Sequence, residues 1–394
     1  MKSVRFSAWL AIFLGTVFTS SVAGESGGAA LELNIQMIPG IWVSGATGAV
    51  NIEYTTNLDQ TSGWALLATV QATNSPYFYI DASATNSTRR FYRAVRENSD
   101  NTNEPPVNPD PLHFVLIPAG SFPMGDSFND RPPEWGADVE IPVHTVTVSA
   151  FYMDKHEVTK GLWDEVKAWA IGHGYSFEND GAGRGPSHPI QTVDWFNVVK
   201  WCNARSEREG RVAAYYTEEA QTNVYRTGQV SVENSWVKWK GGYRLPTEAE
   251  WENAARGGLS GKRFPWGDTI THNEANYRAS SADSYDRSST RGYHPSYDDD
   301  PMPYTSPVGS FAPNGYGLYD MIGNVMEWCW DLYGAYPSGS VTDPRGPATG
   351  WFHMLRGGSW YSSAFFSRTA YRYYGLPELR DTIIGFRAVL PPGE

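Results

Sequence analysis

The sequence predicts an α+β domain with much irregular backbone, preceded by a small all-β sandwich. Three observations carry this expectation. Helical spacing of apolar residues is clear at only three places after residue 112, 39 Gly and 26 Pro punctuate the 394 residues, and short runs between residues 30 and 97 alternate apolar with polar positions. A hydrophobic content of 41% with 16 Trp is enough apolar surface for a packed core, which excludes disorder as the dominant state. With 31 Lys+Arg against 43 Asp+Glu the net charge is −12, which argues against nucleic acid as a partner. Two cysteines, Cys202 and Cys329, exclude both a disulfide scaffold and a Cys-rich zinc module.

In chain order, Lys2 and Arg5 precede an apolar run from Phe6 to Phe18, and Ser21-Val22-Ala23 places small residues where a signal peptidase reads. Residues 1–23 are therefore expected to be a secretory signal, giving a secreted, periplasmic or cell-surface protein. A membrane span needs about 20 apolar residues, and neither this run nor any later one meets that length. Residues 30–97 hold strand-like runs such as Val50-Asn51-Ile52-Glu53-Tyr54 and Arg90-Phe91-Tyr92-Arg93-Ala94-Val95, separated by turn chemistry at Asn74-Ser75-Pro76 and Asn86-Ser87. They read as the small β-sandwich, and their phrasing resembles fibronectin-type-III-like modules appended to exported bacterial proteins. Residues 98–111 are polar with four Pro and read as a linker.

Residues 112–394 form the larger domain. Helices are expected over 158–171, with Leu162, Val166 and Trp169 on one face and Thr159 as cap; over 193–209, beginning at Asp194; and over 247–256, where Thr247-Glu248-Ala249-Glu250 spells a capping box. The rest is short strands and Gly/Asn/Asp loops, which raises the question of what holds them.

A series of phrases runs through this domain: Ile117-Pro118-Ala119-Gly120 with Met124-Gly125; Glu157-Val158-Thr159; Arg244-Leu245-Pro246-Thr247-Glu248-Ala249-Glu250-Trp251; Asn314-Gly315-Tyr316-Gly317-Leu318; Gly323-Asn324-Val325-Met326-Glu327-Trp328; Arg356-Gly357-Gly358-Ser359-Trp360; and Gly385-Phe386-Arg387. Together they resemble the formylglycine-generating-enzyme or sulfatase-modifying-factor family over essentially all of 112–390. The resemblance implies a variant C-type-lectin-like fold and two structural calcium ions. By carry-over, one ion takes Asp320, Gly323, Val325 and Glu327, and the other Asn276, Tyr277, Asp300 and Met302. Carboxylates and carbonyls in a Gly/Asn-rich loop are the hard oxygen donors that calcium needs. The bland reading is that Asp320 and Glu327 cap turns or pair with Arg387 or Arg356.

Members that make formylglycine oxidise a cysteine of a client sulfatase with O₂, holding copper(I) on two of their own cysteines spaced five apart. The matching positions here are Ser362 and Ser367. Hydroxyls do not suit that soft ion, so copper chemistry is expected to be absent, and the resemblance leaves iron open. Cys202 reads as a buried thiol, with a Cys202–Cys329 disulfide as the alternative. His144, His156, His188 and His294 are scattered, with no His-x-x-x-His pair for a zinc site, and no Gly-x-Ser-x-Gly elbow or P-loop lysine is present.

Ser359, Tyr361, Ser362, Ser363, Arg368, Tyr371, Arg372 and Tyr373 are expected to line a groove for a peptide, protein or glycan ligand, since aromatic rings beside guanidinium groups suit planar or anionic partners. The leading expectation is thus a pseudoenzyme: a secreted, formylglycine-generating-enzyme-like binding or accessory protein. The alternative is a family oxidoreductase, formylglycine-generating or of non-haem-iron type, acting on protein or small-molecule thiols.

Overall fold

The computed structural model describes residues 12–16, 37–43, 48–55, 65–72, 77–80, 91–96, 113–130 and 139–392. The chain divides into two compact units, Met1–Asn108 and Pro109–Glu394. In the first, β1 (Ile12–Thr16), β2 (Met37–Val43), β3 (Gly48–Thr55), β4 (Ala65–Ala72), β5 (Tyr77–Ile80) and β6 (Phe91–Arg96) form two three-stranded antiparallel sheets, β1-β2-β5 and β4-β3-β6. β1 lies inside the segment expected to be a signal. The linker expected over 98–111 falls outside the described residues.

The second unit is mixed, with few helices and many short strands. In order they are β7 (Phe114–Ile117), β8 (Gly120–Met124), β9 (His144–Val148), β10 (Phe151–Asp154), α1 (Lys160–Ile171), α2 (Trp195–Arg208), α3 (Glu248–Arg256), β11 (Met326–Leu332), β12 (Val341–Thr342), β13 (His353–Arg356), β14 (Tyr373–Gly375), β15 (Ile384–Gly385) and β16 (Val389–Leu390). The sheets run β16-β10-β7, β12-β9-β8 and β14-β13-β11-β15. No helix among the described residues is long and apolar enough to cross a membrane.

The three helices stand where the periodicity and caps put them. Thr159 caps α1 by accepting from Leu162 N at 3.1 Å. Its buried stripe is Trp163, Val166 and Ala170, whereas Leu162 and Trp169 are only partly covered. The helix is rotated because the Trp163 indole reaches deepest: it donates to the Asp180 carbonyl at 2.9 Å, stacks on Trp201 at 5.8 Å, and meets the edge of Phe386.

Burial is nearly complete along α2 and α3, so their polar residues need partners. On α2, Asn203 donates to the carbonyls of Tyr215 and Tyr225 and accepts from the amides of Ala214 and Tyr215. One side chain thereby holds two turns of irregular backbone. On α3 the box forms as read, with Thr247 accepting from Glu250 N and Glu250 from Thr247 N. All three α3 glutamates face arginines: Glu248 pairs with Arg372, Glu250 with Arg244, and Glu252 with Arg256 and Arg356.

Candidate functional site

After β13 the chain turns sharply through Gly357 and Gly358, at φ 93° and 69°. A Cβ on Gly358 would sit 2.7 Å from Ser367 Oγ and 2.8 Å from the Phe366 carbonyl, so only glycine lets the two limbs of this loop meet. Arg356, with no exposed surface, pins the loop from below: it donates to the carbonyls of Thr369, Ala370 and Tyr371 while pairing with Glu252 of α3.

On top of this frame sit the two serines. The Ser362 hydroxyl accepts from Ser359 N at 3.0 Å and lies 3.1 Å from Ser359 Oγ. Ser367 is fully buried and donates to the Ser363 carbonyl at 3.0 Å. Both hydroxyls thus close the loop on itself. Cys202 and Cys329 are free and buried, and burial pushes both thiols up from their ordinary range. The alternative of a disulfide between them is not what the structure contains.

Only part of the expected groove is at the surface. Tyr361 and Tyr373 are exposed and Ser362 and Ser363 half-buried, but Ser359, Arg368, Tyr371 and Arg372 are buried. Arg368 is taken up by Glu140 at 2.8 and 3.0 Å and by Asp126 at 3.2 Å, and Arg372 by Glu248 at 2.7 and 2.8 Å. The groove reading is corrected for these two arginines. An arginine beside Tyr signalled an open anion site, whereas the acidic partners lie more than 100 residues away in sequence, at Glu140 and Glu248.

The rim instead holds a residue the sequence reading missed. Arg278 N donates to the Ser362 carbonyl at 2.9 Å, and its guanidinium carbon lies 5.6 Å from the Tyr293 ring and 5.7 Å from that of Tyr361. Tyr293, Trp360, Tyr361 and Tyr304 form one aromatic shelf, with neighbouring centroids 4.9 to 6.1 Å apart.

Three buried carboxylates gather around Arg387, which has no exposed surface. Glu327 takes Arg387 Nε and Nη2 at 2.7–2.9 Å, and its Oε2 also accepts from Trp251 Nε1 at 2.7 Å. Glu157 accepts from Asn324 Nδ2 at 2.6 Å and Val325 N at 3.1 Å. Asp320 accepts from Gly309 N at 2.6 Å through Oδ2, while its buried Oδ1 has no partner. Burial raises Glu157, and the nearby charges of Asp320 and Glu327 add to it. Burial also raises Asp320, to about 6, against the Gly309 bond and Arg387.

This first set fits a cation at one donor. The orphaned Asp320 oxygen is a ready ligand, and three carboxylates against one guanidinium leave excess negative charge; Asp320 also lines a small recess with Glu274 and Asn314. Glu327 fits less well, because Arg387 and Trp251 occupy both its oxygens. In the second set Asn276 Oδ1, the expected donor, is likewise buried with no partner. Asn276 Nδ2 donates to the Tyr304 carbonyl at 2.8 Å, and Asp300 accepts from the Tyr304 hydroxyl at 2.8 Å. The Tyr277 carbonyl lies 3.1 Å from His272 Nε2 and Met302 is exposed. No group of three or more His, Cys, Asp or Glu placed to hold a metal ion occurs among the described residues.

A sulfatase-modifying factor enzyme 1-like domain matches residues 99–391. The chain belongs to the sulfatase-modifying-factor family. It is 35% identical over 295 residues to the formylglycine-generating enzyme of Streptomyces coelicolor, covering 69% of this chain and 87% of that one. It is 30% identical over 266 residues to the chaperone protein LppX of Paenibacillus barcinonensis, covering 66% and 82%. Among solved structures, Treponema denticola variable protein 1 superposes with a TM-score of 0.53 at 29% identity, over 71% of this chain and 95% of that one. The fold is thus the formylglycine-generating-enzyme-like, C-type-lectin-like one. Glu157 stands in the Glu157-Val158-Thr159 phrase and Arg278 directly follows Asn276-Tyr277, but only the fold shows what they face.

Proposed function

We propose that this sulfatase-modifying-factor domain is an exported binding or accessory protein that lacks copper-dependent cysteine oxidation. The observation that carries the reading is the pair Ser362 and Ser367, standing where formylglycine-forming members hold copper(I) on thiolates. Their hydroxyls are occupied in closing the loop, and a neutral hydroxyl is a poor ligand for a soft ion. Cys202 and Cys329 offer no substitute, since burial holds both as thiols. Copper does not fit these residues, and no oxidative step runs through them. A relative named as a chaperone supports a role in binding.

A structural calcium at Asp320 belongs to the same proposal. Asp320 Oδ1 would ligate it, and the ion's charge would offset the excess of Glu157, Asp320 and Glu327 over Arg387.

The test is mass spectrometry of a Cys-x-Pro-x-Arg peptide incubated with purified protein, copper, reductant and air, beside an active formylglycine-generating enzyme. The expected result is unchanged cysteine here and formylglycine in the control. Conversion above a protein-free blank overturns the proposal in favour of the oxidoreductase.

A further inference from the structure

We propose that Arg278 anchors the side-chain carboxylate of an acidic peptide segment, whose neighbouring apolar residues lie against exposed Tyr361 and half-buried Tyr293, under which buried Trp360 is packed. This rests on the binding reading above and names the class of ligand. Arg278 is exposed, and among the described residues its guanidinium has neither a hydrogen-bond acceptor nor a carboxylate partner. The arginines packed around the same loop, Arg356, Arg368 and Arg372, each have one. A guanidinium presents five donors in a fork that matches a carboxylate. Here the fork is stationed rather than loose: its backbone is bound to Ser362 and its charge lies over two rings.

The surroundings choose among anionic ligands. Asp298 and Asp300 are exposed on the Tyr304 side of the shelf, where Asp300 accepts from the Tyr304 hydroxyl at 2.8 Å; Asp299 between them is paired with Arg184 at 2.8 Å. A polyanion such as a phosphorylated or sulfated polymer would be repelled there by a protein of net charge −12. A neutral glycan would use the rings and leave the cation unanswered. A peptide carrying one carboxylate beside an apolar side chain matches both features, with the charge at Arg278 and the apolar group on an aromatic surface whose Tyr361 is 51% exposed.

The experiment selects from a random peptide library without cysteine, displayed on phage, using the full chain and its Arg278→Gln and Arg278→Glu variants at low salt. Circular dichroism verifies that each is folded, which is expected because the side chain has no buried partner. Wild type should enrich Asp or Glu several-fold at a fixed offset from an aromatic or aliphatic residue. Arg278→Gln should lose that enrichment, and Arg278→Glu should select Lys or Arg instead. The proposal is overturned by selection without acidic enrichment, by enrichment unchanged in Arg278→Gln, or by no enrichment over a denatured-protein control. Arg278-dependent binding on a parallel array of phosphopeptides and sulfated glycans, without peptide selection, would overturn the ligand class. Because the peptides contain no cysteine, the outcome is independent of the oxidation assay.

Discussion

At the scale of single residues, burial decides chemistry, and His353 shows how. Its ring stacks on Trp195 at 3.9 Å, and Nδ1 lies 2.9 Å from the Trp330 carbonyl, to which the neutral ring donates. Burial lowers its pKa from 6.5 to about 4, against the carbonyl bond, which favours the charged form. Between these values the unfolded imidazole binds more protons than the folded one, so stability is full above about pH 6.5 and falls as pH drops towards 4. The shift corresponds to about 3 kcal/mol. A His353→Asn variant keeps a donor for Trp330 without titrating. Urea midpoints at pH 7 and pH 4.5 should show it less stable than wild type at pH 7 but with the smaller loss on acidification. An equal loss in both would assign the acid sensitivity elsewhere. In sequence this histidine reads only as the one nearest the two serines; its environment comes from α2 and β11.

At the scale of elements, α3 separates a helix end from an ion pair within one motif. Thr247→Ala removes a cap and should cost about 1 kcal/mol. Glu250→Gln keeps a side-chain acceptor for Thr247 N but leaves Arg244, held by two bonds of 2.7 Å, as a buried charge without its carboxylate. Breaking such a pair costs about 3–5 kcal/mol. Urea denaturation should therefore rank Glu250→Gln well below Thr247→Ala, and the reverse order would mean that the cap dominates. The helix was legible because capping and periodicity are local: Thr247, Glu250, Thr159 and Asp194 announce their helices in a few residues. The arginine assignments were not. Arg368 and Arg372 look free in sequence because Glu140 and Glu248 are distant, and Arg278 looks incidental because Tyr293 and Tyr361 meet it only through the fold.

At the scale of the whole molecule, export and the buried carboxylates each make a prediction. If residues 1–23 are a signal, N-terminal sequencing of protein recovered outside the cytoplasm should begin at Gly24; a start at Met1 would overturn export by this route. Two of the carboxylates tie together segments far apart in the chain, since Glu157 reaches Asn324 and Val325 and Glu327 reaches Arg387, while Asp320 holds the nearby turn at Gly309. With one guanidinium for three carboxylates, self-repulsion should weaken the calcium-free protein, and a bound divalent cation should relieve it. Thermal unfolding after chelation and after adding calcium tests this, because a ligand that binds only the folded state stabilises by about 2.7 kcal/mol at a hundred times its Kd. Wild type should gain stability with calcium. Asp320→Asn retains an oxygen for Gly309 while removing one charge, so it should exceed wild type without calcium and gain less from adding it. The two effects have opposite signs, and a general loss of packing cannot produce the first. A wild type indifferent to calcium, together with an Asp320→Asn variant no more stable than wild type, would show that Arg387 and the surrounding amides already balance the three carboxylates.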